Sequence, residues 1–345
     1  MNGLLLVNLG TPDAPTTGAV RRYLREFLSD PRVLDINPVG RALLLHGVIL
    51  RVRPRKSAHA YQTIWGRGVD VGQSPLLGWS KRLTAAVATS LGDTWRVALG
   101  MRYGNPSLAS ALDELQRYPL KKLVICPLYP QYASSSTGST LERVMDLVKD
   151  LPVVPPVVVV RDFYDDPGFI DSVADVTREE LATFTPDHVL FSFHGLPERH
   201  VKATDPTGAH CLASETCCDR LVAANHACYR AQSHATARLV AEKLGLEQGR
   251  WSIGFQSRLG RDPWIKPYTD VLLGKLVERG VKRLMVVTPS FVSDCLETLE
   301  EIGIRADEDF RQAGGEALRA VPCVNAHPRW VKALTRLVLD TAGFP

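Results

Sequence analysis

Apolar runs and amphipathic stretches alternate along this chain. Short runs rich in valine, isoleucine and leucine stand at 4–9 (LLLVNL), 95–100 (WRVALG), 122–128 (KLVICPL), 153–160 (VVPPVVVV), 188–194 (HVLFSFH), 251–256 (WSIGFQ) and 283–289 (RLMVVTP). Most are apolar throughout rather than at every second position, the pattern of strands covered on both faces. Between them apolar residues recur at helical spacing. In TTGAVRRYLREFLSD, Val20, Leu24, Phe27 and Leu28 share one face. LASALDELQRY, STLERVMDLVKD and VLLGKLVERG read the same way. The alternation predicts an α/β protein built as two Rossmann-like lobes, each a parallel sheet flanked by helices. The lobes are expected at 1–155 and 156–324, with the C-terminal stretch 325–345 folding back on the first. No repeat or low-complexity segment is evident.

In open α/β sheets, ligands sit beyond the carboxyl ends of the strands. The segments placed there are NLGTP (8–12), YPQYASSSTGST (129–140), HGLPERH (194–200), QSRLGRDPW (256–264) and PSFVSDCLETLEE (289–301). None is a Walker A loop or a serine nucleophile elbow, and GRGVDVG (66–72) has the wrong glycine spacing for a dinucleotide fingerprint. What remains is polar and unusual. His194 closes an apolar strand. Glu297, Glu300 and Glu301 open a helix, with Ser293 or Asp294 placed to cap it, and Glu297 and Glu301 share a face. Alone, each feature is more often structural. Together, in one lobe, an imidazole facing carboxylates can take protons from a substrate and pass them to water. Imidazole and carboxylate also suit ferrous iron held transiently.

Composition narrows the setting. At 345 residues, 45% hydrophobic, 23% charged and with a formal charge of +4, the chain is a globular protein long enough for two domains. It has no basic block that argues for nucleic acid. RVRPRKSAH (51–59) reads as a solvated loop, or more sharply as an anion or membrane-surface patch. The longest apolar run, ALLLHGVIL (42–50), is about half a bilayer span, and no signal peptide precedes LLLVNL. A cytoplasmic protein, in places peripheral to the inner membrane, is expected. Thiols are normally reduced there, so a cysteine cluster points to metal rather than to disulfides. Four of the seven cysteines, Cys211, Cys217, Cys218 and Cys228, fall in the stretch CLASETCCDRLVAANHAC. Cys126, Cys295 and Cys323 read as buried small hydrophobes.

Five motifs, LFSFHGLPERH, FQSRLGRDPW, DCLETLEE, LYPQYASSSTG and GMRYGNPSL, resemble the ferrochelatase family in the family's order. The resemblance runs from NLGTP to the final helix. It implies two Rossmann-like lobes with a cleft, and an enzyme that inserts Fe(II) into a porphyrin to make haem. FLSDPRVLD, QSRLGR-PW and DCLETLEEI resemble the branch that uses protoporphyrin IX. The family's histidine falls on His194 and its essential glutamate on Glu297, with Glu301 next along. His194 and Glu297 are the implied iron-binding pair. The implied porphyrin-binding set is Leu9, Ser74, Arg102, Tyr103, Tyr132, Ser134, Thr137 and Trp264, with Tyr129 in the same wall. Two departures stand out: Thr204-Asp205-Pro206 replaces the usual Gly-Asp-Pro, and Cys295 stands where some members carry a second histidine.

The four clustered cysteines lie on about twenty extra residues, near 205–230, where most members run directly into a helix. Four thiolates suit tetrahedral zinc or a 2Fe–2S cluster. The missing C-x-x-C pairs disfavour zinc, and some ferrochelatases carry a 2Fe–2S cluster on such an insertion, so the resemblance favours the cluster. Adjacent Cys217 and Cys218 are poorly placed to bridge each other. The competing readings are a coproporphyrin enzyme, another tetrapyrrole chelatase, and an iron–sulfur sensor on a chelatase scaffold. The expected partners are protoporphyrin IX and Fe(II), with no nucleic acid, a transient membrane-surface contact through LLLHGVIL, and a monomeric state.

Overall fold

The computed structural model describes residues 1–260 and 262–344. It contains two four-stranded sheets, parallel throughout. The first is built from β1 (Asn2–Thr11), β2 (Trp95–Gly104), β3 (Lys122–Pro127) and β4 (Val157–Val159), in the order β2-β1-β3-β4. The second is built from β5 (His188–His194), β6 (Trp251–Gln256), β7 (Arg283–Val287) and β8 (Ala317–Ala320), in the order β6-β5-β7-β8. The same topology is used twice, a repeat with no trace in the sequence. Each sheet belongs to its own compact unit. The first unit holds Met1–Leu128, Ser134–Arg161 and the residues from Val331 on; the second holds Tyr129–Ala133 and Asp162–Trp330.

The strands are apolar because both faces are covered. In the first unit, Leu5, Val7, Ala98, Leu123 and Ile125 pack with Leu108 and Leu112 of helix Leu108–Gln116 and Val144 of helix Ser139–Val148. In the second, Leu190, Leu284 and Val286 pack with Leu273 and Leu276 of helix Thr269–Glu278, and with Ile302 and Phe310. In both sheets the chain leaves the first strand toward one side and later returns to its other side. The switch points therefore lie between β1 and β3 and between β5 and β7, where ligands of such sheets bind.

Some expectations are corrected. The run 153–160 pairs only over Val157–Val159, because Pro155 and Pro156 cannot donate to a ladder. β8 was not foreseen; it is a short edge strand, ALRA, with every residue partly exposed. The stretch 51–59 is not a loop but part of helix Leu50–Ile64, with Pro54 inside it and the π-helical turn Leu45–Ile49 just before. Its arginines are solvated all the same. Among the described residues no helix is long and apolar enough to cross a membrane.

Candidate active site

The second unit gathers its polar groups at the β5/β7 switch point. His194 is the last residue of β5 and only partly buried. Its backbone N–H donates to Ser290 Oγ at 3.1 Å, which ties it to the loop after β7. Its Nδ1 lies 2.6 Å from the Gly195 carbonyl. A carbonyl only accepts, so Nδ1 carries a proton, and in the neutral ring the lone pair is on Nε2. Gly195 has no room for a side chain. A Cβ there would stand 2.7 Å from the Gln256 carbonyl and 3.1 Å from Trp264 Cε3. The tryptophan is thus laid against the His-Gly backbone. Glu198 N–H to Pro263 O at 2.9 Å, Ile265 N–H to Leu196 O at 2.9 Å and a Pro197–Trp264 bridge hold it there. The indole N–H donates to Leu259 O at 2.8 Å. Arg261 of the QSRLGRDPW motif lies outside the described residues.

The glutamates sit on a π-helix, Glu297–Ala306, a winding that recurs at functional sites. Neither Ser293 nor Asp294 caps it, which corrects the expectation. Asp294 instead accepts from Cys323 N–H at 3.0 Å and Asn325 Nδ2 at 2.7 Å, while Ser293 Oγ is buried without a partner. Thr298 Oγ1 accepts from the Cys295 N–H at 3.0 Å, just ahead of the helix.

Glu301 is held by the end of β6. Its carboxylate accepts from Ser257 N–H at 2.8 Å, Ser257 Oγ at 2.5 Å and Gln256 Nε2 at 3.4 Å. Ser257 has φ +64, a left-handed backbone that turns both its donors onto one carboxylate. Gln256 is the register partner of His194 and also donates to the Glu297 carbonyl at 3.0 Å. Its Oε1 accepts from Ser192 at 2.8 Å. His194, Glu297 and Glu301 are therefore braced through one buried glutamine, which sequence reasoning passed over although QS follows the strand directly. Burial and the negative charge of Glu297 push the Cys295 thiol well up, so it stays protonated.

In the first unit the motif residues meet a hub that sequence reasoning also missed. Asp30 of FLSDPR accepts from Arg102 Nη2 at 2.6 Å, Tyr103 Oη at 2.8 Å, Ser139 Oγ at 2.5 Å and Arg32 N–H at 2.7 Å. Burial alone would raise its pKa, but these donors outweigh it and hold the carboxyl below the ordinary range. Arg102 also lies over the Tyr103 ring at 4.5 Å. Tyr103 is fully buried, so its hydroxyl serves this network. Gly10, at φ +115, lets β1 pass against Tyr103, whose carbonyl would be 1.7 Å from a Cβ. Ser74 is buried too, and its hydroxyl caps helix Pro75–Leu91 by accepting from Leu77 N–H at 3.2 Å. Leu9 is partly buried next to Gly10 on β1. Ser134 and Thr137 lie on a π-helical turn, Ser134–Gly138. Ser134 Oγ accepts from Arg32 Nη1 at 2.9 Å, and Thr137 Oγ1 is buried with no partner. Tyr132, in the second unit, is anchored by its N–H donating to Gln232 Oε1 at 2.6 Å.

The four clustered cysteines are reduced, buried and near one another. Cys217 and Cys218 sulfurs are 3.7 Å apart, and Cys211 and Cys228 are buried on the same loop. Asp205 shapes the loop by accepting from Thr207 N–H and Oγ1, His210 N–H and Cys211 N–H at 2.7–2.9 Å. Among the described residues no group of three or more His, Cys, Asp or Glu side chains stands in metal-holding geometry.

Comparison with known proteins bears on this geometry. The ferrochelatase family model matches residues 1–342. The ferrochelatase of Coxiella burnetii (strain Dugway 5J108-111) is 48% identical over 337 residues, covering 97% of this chain and 92% of the relative. That of Legionella pneumophila (strain Paris) is 46% identical over 336 residues, covering 97% and 98%. Among solved structures, SirB from Bacillus subtilis with Fe3+ matches with a TM-score of 0.54 at 11% identity, over 99% of this chain and 96% of that one, a likeness of fold. The chain belongs to the ferrochelatase family, the porphyrin metal chelatases that place ferrous iron in the ring to make haem.

Proposed function

We propose that the substrate is protoporphyrin IX and that His194, Glu297 and Glu301 carry the proton and iron chemistry. The observation that supports this most is the bare Nε2 of His194, left by the Nδ1–H donated to Gly195. Metallation replaces two pyrrole N–H protons by Fe(II). His194 Nε2 accepts a proton as the metal–nitrogen bonds form, and the carboxylates pass it on to water. Glu297 takes the incoming iron with His194 Nε2 as a transient partner, since both donors suit Fe(II), and passage of the iron to the ring frees that lone pair for the proton, while Glu301, fixed by Ser257, receives protons. A flat ring hides its nitrogen lone pairs, so the walls must bend it; Trp264 and Tyr132 of the second unit supply that grip. Ser134 and Thr137 receive a propionate, for which the unpartnered Thr137 hydroxyl is a ready donor. Arg102, Tyr103 and Ser74 have a supporting role, each already engaged within the first unit. The test is the anaerobic rate of haem formation by Glu297→Gln. It should fall at least tenfold with porphyrin affinity kept, and a wild-type rate would end the assignment.

We further propose that Cys211, Cys217, Cys218 and Cys228 hold a 2Fe–2S cluster. Four buried thiols on one loop, with Cys217 and Cys218 sulfurs 3.7 Å apart and the Arg230 guanidinium 3.1 Å from Cys218 sulfur to balance negative charge, support this reading. The cluster would supply electron storage, which insertion of Fe(II) does not use. An anaerobically purified protein without visible bands that bleach with dithionite would exclude it.

The lip around 39–52 supports transient contact with an anionic bilayer. Val39, Leu43, Val48 and Val52 are 54–70% exposed beside Arg51 and Arg55. Flotation with anionic but not neutral vesicles is expected, and none with either refutes it. A monomeric, cytoplasmic protein is proposed, to be checked by light scattering.

A further inference from the structure

We propose that Arg230 ties the four-cysteine loop to the segment carrying Trp264, so that losing either end of this tie loosens the grip on porphyrin. This rests on the reading of Trp264 as a porphyrin wall. Arg230 is the second residue of helix Tyr229–Lys243, which starts directly after Cys228. Its Nη1 donates to the Cys218 sulfur at 3.1 Å and points at the Cys217 sulfur at 3.7 Å. Its Nε donates to the Lys266 carbonyl at 3.3 Å. A guanidinium is one rigid plane, so sulfur and carbonyl are held by the same plate, and moving one tilts the other.

Both ends of the tie are braced. On the cysteine side, Arg238 Nη1, two turns along the same helix, donates to the Cys218 carbonyl at 3.0 Å. On the other side, Lys266 is two residues from Trp264. That segment is clamped by Ile265 N–H to Leu196 O at 2.9 Å and Phe255 N–H to Pro267 O at 2.8 Å. The Trp264 ring is packed on Gly195, next to His194. A shift of the Lys266 carbonyl therefore reaches the indole with little slack.

The test is a cycle of Cys218→Ala, Arg230→Met and the double variant, with protoporphyrin affinity read from tryptophan quenching. Each single change should weaken binding by about three- to tenfold, the worth of one hydrogen bond. The double should be no weaker than either single, because one tie is lost once. Unchanged affinities, or losses that multiply, would overturn the proposal. Arg230→Lys keeps the charge without the fork and should behave as Arg230→Met does. Amide exchange at Ile265 should quicken in Arg230→Met with far-ultraviolet circular dichroism unchanged, and unchanged protection would also overturn it. A Trp264→Ala variant with undiminished affinity would instead refute the role given to Trp264, leaving the exchange measurement to judge the tie.

Discussion

Replacing Asp30 by asparagine tests the hub of the first unit. The side chain changes by one atom and one charge. The carboxylate accepts three side-chain donors and one backbone N–H, and its pairing partner Arg102 has a side chain only 15% exposed. Asparagine offers one acceptor oxygen and turns an NH2 toward groups that are themselves donors. Breaking a buried pair by removing one member costs about 3–5 kcal/mol, chiefly because the other charge is stranded. Summing each hydrogen bond separately would exceed this, since the donors share one carboxylate and are not independent. We expect a loss of about 3–4 kcal/mol for Asp30→Asn in urea titrations at neutral pH. Adding Arg102→Met removes the stranded charge, so the double variant should lose less than the sum of the singles. The pH dependence has a definite sign. Asp30 sits below its unfolded value of 3.8, so its contribution is whole above that pH and disappears as pH falls through the lower native value. Wild type and Asp30→Asn should therefore converge in acid. A neutral-pH loss under about 1 kcal/mol, or a gap that persists in acid, would refute the reasoning.

Three other changes read other parts of the account. Ser257→Ala removes the hydroxyl from Glu301 and should lower the metallation rate about tenfold, the worth of one hydrogen bond to a charged group; a wild-type rate counts against Glu301 in proton transfer. Gly195→Ala forces Trp264 and the Gln256 carbonyl apart and should weaken porphyrin binding several-fold by fluorescence titration, while a neutral outcome would show that the indole's seat is immaterial. Burial, with Arg279 and Arg250 nearby, lowers the His188 pKa to about 4. The native state stays neutral while the unfolded chain takes a proton near 6.5, so stability drops as pH falls from 6.5 to about 4, by at most about 3 kcal/mol. His188→Gln should flatten that part of the stability curve, and an unchanged slope would assign it elsewhere.

Seven of the eight strands were legible because residues such as Leu4–Val7 and Val189–Phe191 are buried on both faces and read as unbroken apolar runs. β8 was not, because an edge strand of alanine and arginine carries no such signal. His194 stood out as a polar residue ending an apolar strand. The π winding of Glu297–Ala306 did not, since over one turn its acidic spacing looks α-helical. The supports were least legible. Asp30 meets Arg102 across 72 residues and Ser139 across 109, and Ser257 gains its meaning only from a left-handed backbone. The cysteine count announced a site, but the Arg230 link to Lys266 depends on packing no spacing reveals.

The most direct test of the account is single-turnover Fe(II) insertion into protoporphyrin without oxygen, comparing wild type with His194→Ala. If the bare Nε2 is the proton acceptor, the variant binds porphyrin as before and its insertion rate drops by about 10²–10⁴-fold. Insertion within twofold of wild type would contradict the role assigned to His194.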